Sequence, residues 1–297
     1  MRIVIFFIVA LLFSSVTHAQ KDNSLSIQPD STRLYKIELN DGSIYLGKIL
    51  KEDIEVVSFK TLSGNTIEIR KVYIKNKEQI EQGDFKNGVY WFRNPNPTRY
   101  LFGPSAFNLK AGEGYYQNTY LLLNSFNYGI TDNISVGGGV ELITLFSFPK
   151  GGPIFILTPK VGFEVAPKFN VGGGVLYLSV PDFFSSNRTG LGIAYGVATY
   201  GTENSNITGG IGWGFVEGDF SSTPVITISG MHRMSRKTAL VSENWLIPNG
   251  NTYAGIYSYG IRFFGEKLAV DLAFLNNQEI SSNLTLGIPY VDFVVKF

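Results

Sequence analysis

His232 is the side chain best suited to proton transfer near neutral pH, and the only other histidine, His18, lies in the apolar N-terminal stretch. A histidine beside a serine can activate that hydroxyl as a nucleophile when an acid orients the ring. Ser229 and Ser235 flank His232 in sequence, but no aspartate or glutamate stands between them to orient it. Catalysis is therefore not expected. One such histidine and no cysteine also leave no donor set for zinc or a transition metal, and exclude disulfides. Two glycine triplets, Gly137-Gly138-Gly139 and Gly172-Gly173-Gly174, invite comparison with a phosphate cradle, which needs a helix to begin after the glycines. Here the alternation of a strand continues instead, so the glycines are read as sites of bending or of room for large neighbours, and no cofactor is implied.

The remaining candidates are charges within otherwise apolar alternating runs: Lys160, Glu164, Arg233, Arg262, Asp271, Asp292 and Lys296. If these line the interior of a closed sheet, two arrangements compete. Paired charges would form a network that fills and blocks the interior, whereas separated charges would leave a polar lumen able to pass small solutes. Four basic against three acidic groups favours pairing.

Period two dominates the elements that must position these groups. In Lys267–Leu275, Leu268, Val270, Leu272 and Phe274 share one face, with Ala269, Asp271 and Ala273 opposite. In Ile154–Val165, Phe155, Leu157, Val161 and Phe163 oppose Thr158, Lys160, Gly162 and Glu164. Lys237–Ile247 alternates too poorly to assign a face. Polar turns recur near Asp132, Pro167, Asn204, Ser235 and Glu266, at a spacing that suits two strands of about 9 to 11 residues plus an opposite loop. Tyr115–Tyr128 is read as one strand running toward the first of these turns, preceded by a strand over Arg99–Leu109, for a total of about twelve.

Residues 21–98 hold 23 charged residues in 78, against 25 in 199 for residues 99–297, while 28 of the 33 glycines fall in the second part. A domain boundary is placed at this change, beside Asn94-Pro95-Asn96-Pro97. Within the first part, Leu34–Leu39, the Asn40-Asp41-Gly42 turn, Ser43–Leu50, Ile54–Lys60 and Thr66–Arg70 describe a small β-domain over 32–98, after a polar linker over 20–31. Met1–Ala19, with Arg2, an apolar run and small residues before Gln20, matches a secretory signal. The net charge of +1 includes Arg2, so the exported chain would be neutral, and nucleic acid is not an expected partner.

The last stretch, Gly287–Phe297, places Phe297, Val295, Phe293 and Val291 on one face of a strand that ends in an aromatic residue. It resembles the closing strand of Gram-negative outer-membrane β-barrels. That resemblance implies an all-β fold, an antiparallel transmembrane barrel of about twelve strands over 99–297, preceded by a small periplasmic β-domain. It also implies that Phe297, Val295 and Phe293 serve as an insertion signal for the barrel insertion machinery, and that outer-membrane lipid surrounds the barrel. The Asp41–Ile49 stretch resembles the start of an SH3-like or Sm-like barrel. The expected function is a non-enzymatic barrel anchoring a periplasmic domain that has its own protein partner; the alternatives are a passive channel for small solutes and, last, a lipid-active enzyme.

Overall fold

A computed structural model describes residues 33–80, 84–86, 88–147, 150–182 and 185–297. The signal over 1–19 and the linker over 20–31 lie outside the described residues. The chain divides into two compact units that meet in sequence between Tyr90 and Trp91.

In the first unit, β1 (Leu34–Leu39), β2 (Ile44–Glu52), β3 (Val56–Thr61), β4 (Thr66–Arg70) and β5 (Ile74–Ile80) form one antiparallel sheet in the order β4-β3-β2-β1-β5. The β1–β2 turn forms because Gly42 takes φ +85°, where a Cβ is disfavoured, while the Asp41 carboxylate accepts the Ser43 N–H at 2.9 Å. Ile37, Ile49, Val57, Phe59 and Ile69 make the core. Sequence alternation does not reveal β5, whose Lys75-Asn76-Lys77-Glu78-Gln79 interior is almost wholly polar. It is an edge strand paired with β1 alone, where charge protects against further pairing. A 3₁₀ turn, Lys71–Tyr73, leads into it. A small hairpin of β6 (Phe85–Lys86) and β7 (Val89–Tyr90) follows.

The second unit is a closed antiparallel barrel. Its wall comprises β8 (Gly114–Thr119), β9 (Leu123–Gly129), β10 (Ile134–Glu141), β11 (Phe155–Leu157), β12 (Lys160–Ala166), β13 (Phe169–Pro181) and β14 (Arg188–Thr202). It continues with β15 (Ser205–Val216), β16 (Asp219–Phe220), β17 (Val225–Arg233), β18 (Thr238–Asn249), β19 (Thr252–Phe264), β20 (Leu268–Asn276) and β21 (Ile288–Lys296). β11 and β12 occupy one position, interrupted at Pro159, since both pair with β10 and β13, and β16 only extends β15. Pairing of β21 with β8 and of β9 with β10 closes the ring at twelve positions. The predicted turns near Asp132, Pro167, Asn204, Ser235 and Glu266 all fall at one end, with Phe297; this is called the inner end below. Two short helices, α1 (Leu142–Ser147) and α2 (Gln278–Asn283), lie in connections at the outer end.

The wall reaches twelve by a different allocation from the one expected. Arg99–Leu109 is not a strand, and its only bridge is Arg99 with Pro104. The run Tyr115–Tyr128 instead supplies two strands, folded at Tyr120 and Leu121, which both take positive φ, 54° and 64°. Such a turn suits a hairpin, but it normally carries glycine or asparagine, so these residue types conceal it.

Faces follow the alternation. Leu268 and Leu272 are exposed on the outside while Ala269, Asp271 and Ala273 are buried within, and Leu157, Val161 and Phe163 lie outside opposite Lys160 and Gly162. In β18 the inner face carries Ala239, Val241 and Glu243, whereas the outer face mixes Leu240 with Ser242 and Asn244. Neither face is uniformly apolar, which is why period two is faint there.

Candidate functional site

Trp91–Lys110 enters the barrel from the inner end, rises to an apex at Leu101–Gly103 and returns. The hairpin is held across its own stem by Tyr100 N–H to Gly103 O (2.9 Å) and Ser105 N–H to Thr98 O (3.0 Å). Tyr100, Leu101, Ala106 and Leu109 are buried in it, as are Asn94, Asn96 and Ser105. The packed barrel therefore begins at Trp91, upstream of the change in charge density at Thr98.

An irregular segment leaves amides and carbonyls without a ladder, and inside a barrel these must find side-chain partners. The inward charges supply them. Arg262, fully buried on β19, makes a two-pronged pair with Asp271 of β20 (Nε–Oδ1 2.6 Å, Nη2–Oδ2 2.8 Å). Its guanidinium also donates to the carbonyls of Asn96 (2.7 Å), Tyr100 (2.7 Å) and Arg99 (3.3 Å). Arg233 has no carboxylate partner among the described residues; it donates to Phe92 O (2.8 Å), Asn204 Oδ1 (2.8 Å) and Arg236 O (2.6 Å). The rings of Trp91, Phe92 and Phe264 lie within cation–π distance of it. Lys160 donates to Thr98 O at 3.1 Å and to Phe107 O, holding both stems of the hairpin.

Asp292 pairs with Arg99, which comes from the hairpin, and accepts from Gln117 (3.1 Å) and Tyr290 (3.0 Å). Lys296 pairs with Glu113 at 2.8 Å at the inner rim, half-exposed. Burial acts to raise the Glu113 carboxyl, but the Lys296 ammonium and the Lys110 N–H outweigh it and hold it below the ordinary glutamate range. Glu164 shares the inward face of β12 with Lys160 but sits exposed at the rim, accepting the Lys168 N–H at 3.3 Å. Of the seven charges read from sequence, five thus touch the hairpin or the ion pairs that hold it, Lys296 braces its exit, and Glu164 stands apart.

Two groups escape the sequence reading. Arg99 is concealed by its assignment to a wall strand. Glu243 is concealed by the weak alternation of β18. Its carboxylate is buried and caps the apex, with Oε2 accepting from Leu101 N–H (2.8 Å), Phe102 N–H (3.0 Å) and Gly103 N–H (2.8 Å), while Oε1 accepts from Trp245 Nε1 (2.7 Å). Three successive amides thus converge on one carboxyl group, as in a backbone nest. Glycine makes room beside the hairpin at one point: a Cβ on Gly162 would stand 2.5 Å from Ala106 O.

Above the apex the lumen changes character. Trp245, Ile247, Ile256 and Leu275 surround a cavity of about 210 Å³ over Phe102 and Glu243. A second cavity of about 280 Å³ lies between the hairpin and β8–β14.

His232 points outward near the inner rim, with Nδ1 2.9 Å from Ser205 Oγ, across the β15–β17 ladder rather than to Ser229 or Ser235. No carboxylate partner of His232 occurs among the described residues.

No family model matches the chain, and no curated protein matches it. Among solved structures it is similar to the NanC porin, at 10% identity and a TM-score of 0.37, covering 62% of this chain and 96% of that one. The loop L8 deletion mutant of OmpT, an outer membrane protein of Vibrio cholerae, aligns at 10% identity and a TM-score of 0.31, covering 89% and 96%. OmpF of Salmonella typhi, in complex with daunomycin, aligns at 11% identity and 0.30, covering 89% and 95%. The barrel architecture of this chain rests on its own closed ladder.

Proposed function

We propose that the chain is an outer-membrane barrel, sealed from within by Trp91–Lys110, that anchors its N-terminal β-unit on the periplasmic side without catalysing a reaction. The observation that carries this reading is Arg262, which joins one wall ion pair to three carbonyls of the hairpin. A lumen whose buried charges mostly hold a segment of the same chain offers solutes no continuous charged path. Outward apolar side chains around the wall and the aromatic terminal strand support the membrane location, with Phe297, Val295 and Phe293 as the insertion signal.

The first unit, with β1 between β2 and β5 and a 3₁₀ turn before β5, suits an SH3-like or Sm-like module. Its groove of about 630 Å³, lined by Tyr45, Ile67 and Tyr73 among others, supports docking of an envelope protein. The His232–Ser205 contact without an orienting acid supports a non-enzymatic role. Sidedness tests the anchor: protease added to intact cells should spare the first unit, and should release it once the outer membrane is permeabilised. Cleavage in intact cells would refute the assignment.

A further inference from the structure

We propose that the cavity between the hairpin and β8–β14 binds a single-chain amphiphile with an anionic head, entering sideways from the outer leaflet. The inference rests on the proposed membrane location, and goes beyond the anchoring role.

The floor of the cavity is cationic. Lys160, only 8% exposed, lines it with no carboxylate partner among the described residues. Its ammonium has three protons, and two are used on Thr98 O and Phe107 O. Arg99 lines the same cavity, and its buried Nε has no hydrogen-bond partner. Asp292 is paired with Arg99 and Glu243 accepts from the apex amides, so Lys160 is the lining cation left without a counter-charge. A buried ammonium without a counter-charge is expensive, and an anionic head would offset it.

Going outward, the β13 side of the lining becomes aliphatic. Lys160 pairs with Gly174, and Leu176 and Leu178 follow along β13, so that the Leu178 backbone lies about 14 Å along the wall from the Lys160 backbone at ~3.4 Å per residue. Leu123, Ile156 and Phe102 extend the apolar surface, and Gln117, Thr119 and Ser125 line the β8–β9 side. At about 280 Å³ the space stands near the lower end of ordinary ligand pockets, roughly 300–1,000 Å³, which suits one alkyl chain rather than a multi-chain lipid.

The way in is a low stretch of wall. A membrane-spanning strand needs about 9 to 11 residues, but β8 has 6 and β9 has 7, against 13 and 15 in β13 and β14. The β8–β9 turn thus ends at hydrocarbon depth, and it presents Leu121 and Leu122 there, both exposed. Beyond it β21 continues without a β8 partner, since their pairing stops at Asp292 with Thr119. That edge carries no stranded donor at Pro289, which has no N–H and whose carbonyl accepts the Tyr120 hydroxyl at 2.9 Å. Thr119 and Leu123, at the lip, both line the cavity.

The test uses the full chain in lipid nanodiscs, with its fold checked by heat-dependent gel mobility, and decanoate carrying a ¹³C carboxyl as the probe. One saturable decanoate per barrel is expected above the uptake of empty nanodiscs. Decan-1-ol and acetate should each bind at least 10-fold more weakly. Lys160→Met should weaken decanoate at least 10-fold, and Leu178→Trp, which keeps the ammonium but fills the tail space, should do the same. Uptake no greater than that of empty discs overturns the proposal, as does unchanged affinity in a folded Leu178→Trp or Lys160→Met variant. Acetate binding as tightly as decanoate also overturns it, leaving an anion site without a chain.

Discussion

Replacing Arg262 by methionine removes the centre of the seal while keeping most of the side-chain volume. Asp271 is then left as an unpaired charge at 1% exposure, and the Asn96 and Tyr100 carbonyls lose their 2.7 Å donors. Breaking one side of a buried pair destabilises by about 3–5 kcal/mol, and each carbonyl left without a partner adds on the order of 1 kcal/mol. Arg262→Met should therefore lower the unfolding free energy by roughly 5–7 kcal/mol, read by urea titration in detergent micelles. In the double variant Arg262→Met/Asp271→Leu the charge penalty disappears, because an apolar pair substitutes for the ionic one, and most of the loss should return. The carbonyls of the hairpin remain unpartnered in both, so both should show intermittent channel openings in a planar bilayer. Stability within about 1 kcal/mol of wild type in the single variant would refute the assignment of Arg262 to a buried, hairpin-holding role.

Three further outcomes follow from particular contacts. Gly162→Val brings a Cβ within 2.5 Å of Ala106 O, so the returning stem must shift; because the chain has no cysteine, a Ser105→Cys probe should change from protected to readily labelled by a small thiol reagent in that background. Glu243→Ala orphans the amides of Leu101, Phe102 and Gly103 and should cost about 3 kcal/mol, limited by water reaching them from the outer cavity, whereas Glu243→Gln keeps one acceptor oxygen and should cost about 1 kcal/mol by urea unfolding. In the first unit, burial acts to raise the Glu52 carboxyl, but Lys77 and Lys71 outweigh it and hold it below the ordinary value of 4.5. Its contribution to stability is thus complete above about pH 4.5 and is lost as pH falls through the lower folded value, so Glu52→Gln should flatten the acid limb of the unit's unfolding midpoint against pH.

The barrel is written locally and its seal is not. Turns at Asp132, Pro167, Asn204, Ser235 and Glu266 declare themselves through polar and flexible residues between alternating runs, and Leu268–Leu275 declares both its faces. Those signals need only neighbours in sequence. The hairpin has no period to read, since Tyr100, Leu101 and Ala106 are buried by wall residues far along the chain. Arg99 meets Asp292 across a separation of 193 residues, and Arg262 meets Asn96 across 166. Balanced charge within the wall predicts mutual pairing, yet only Arg262–Asp271 pairs wall with wall among the charges named; the others meet the hairpin, its exit or a rim turn. The Tyr120-Leu121 turn was hidden for the opposite reason, being local but built from residues that rarely take positive φ.

The most direct test of the sealed lumen is single-channel recording of the folded full-length protein in a planar bilayer. A silent membrane containing protein whose insertion is verified by heat-dependent gel mobility is the predicted result. Steady, ohmic conductance from the wild-type chain would contradict it, and would make the barrel a pore whose hairpin stands aside from the path.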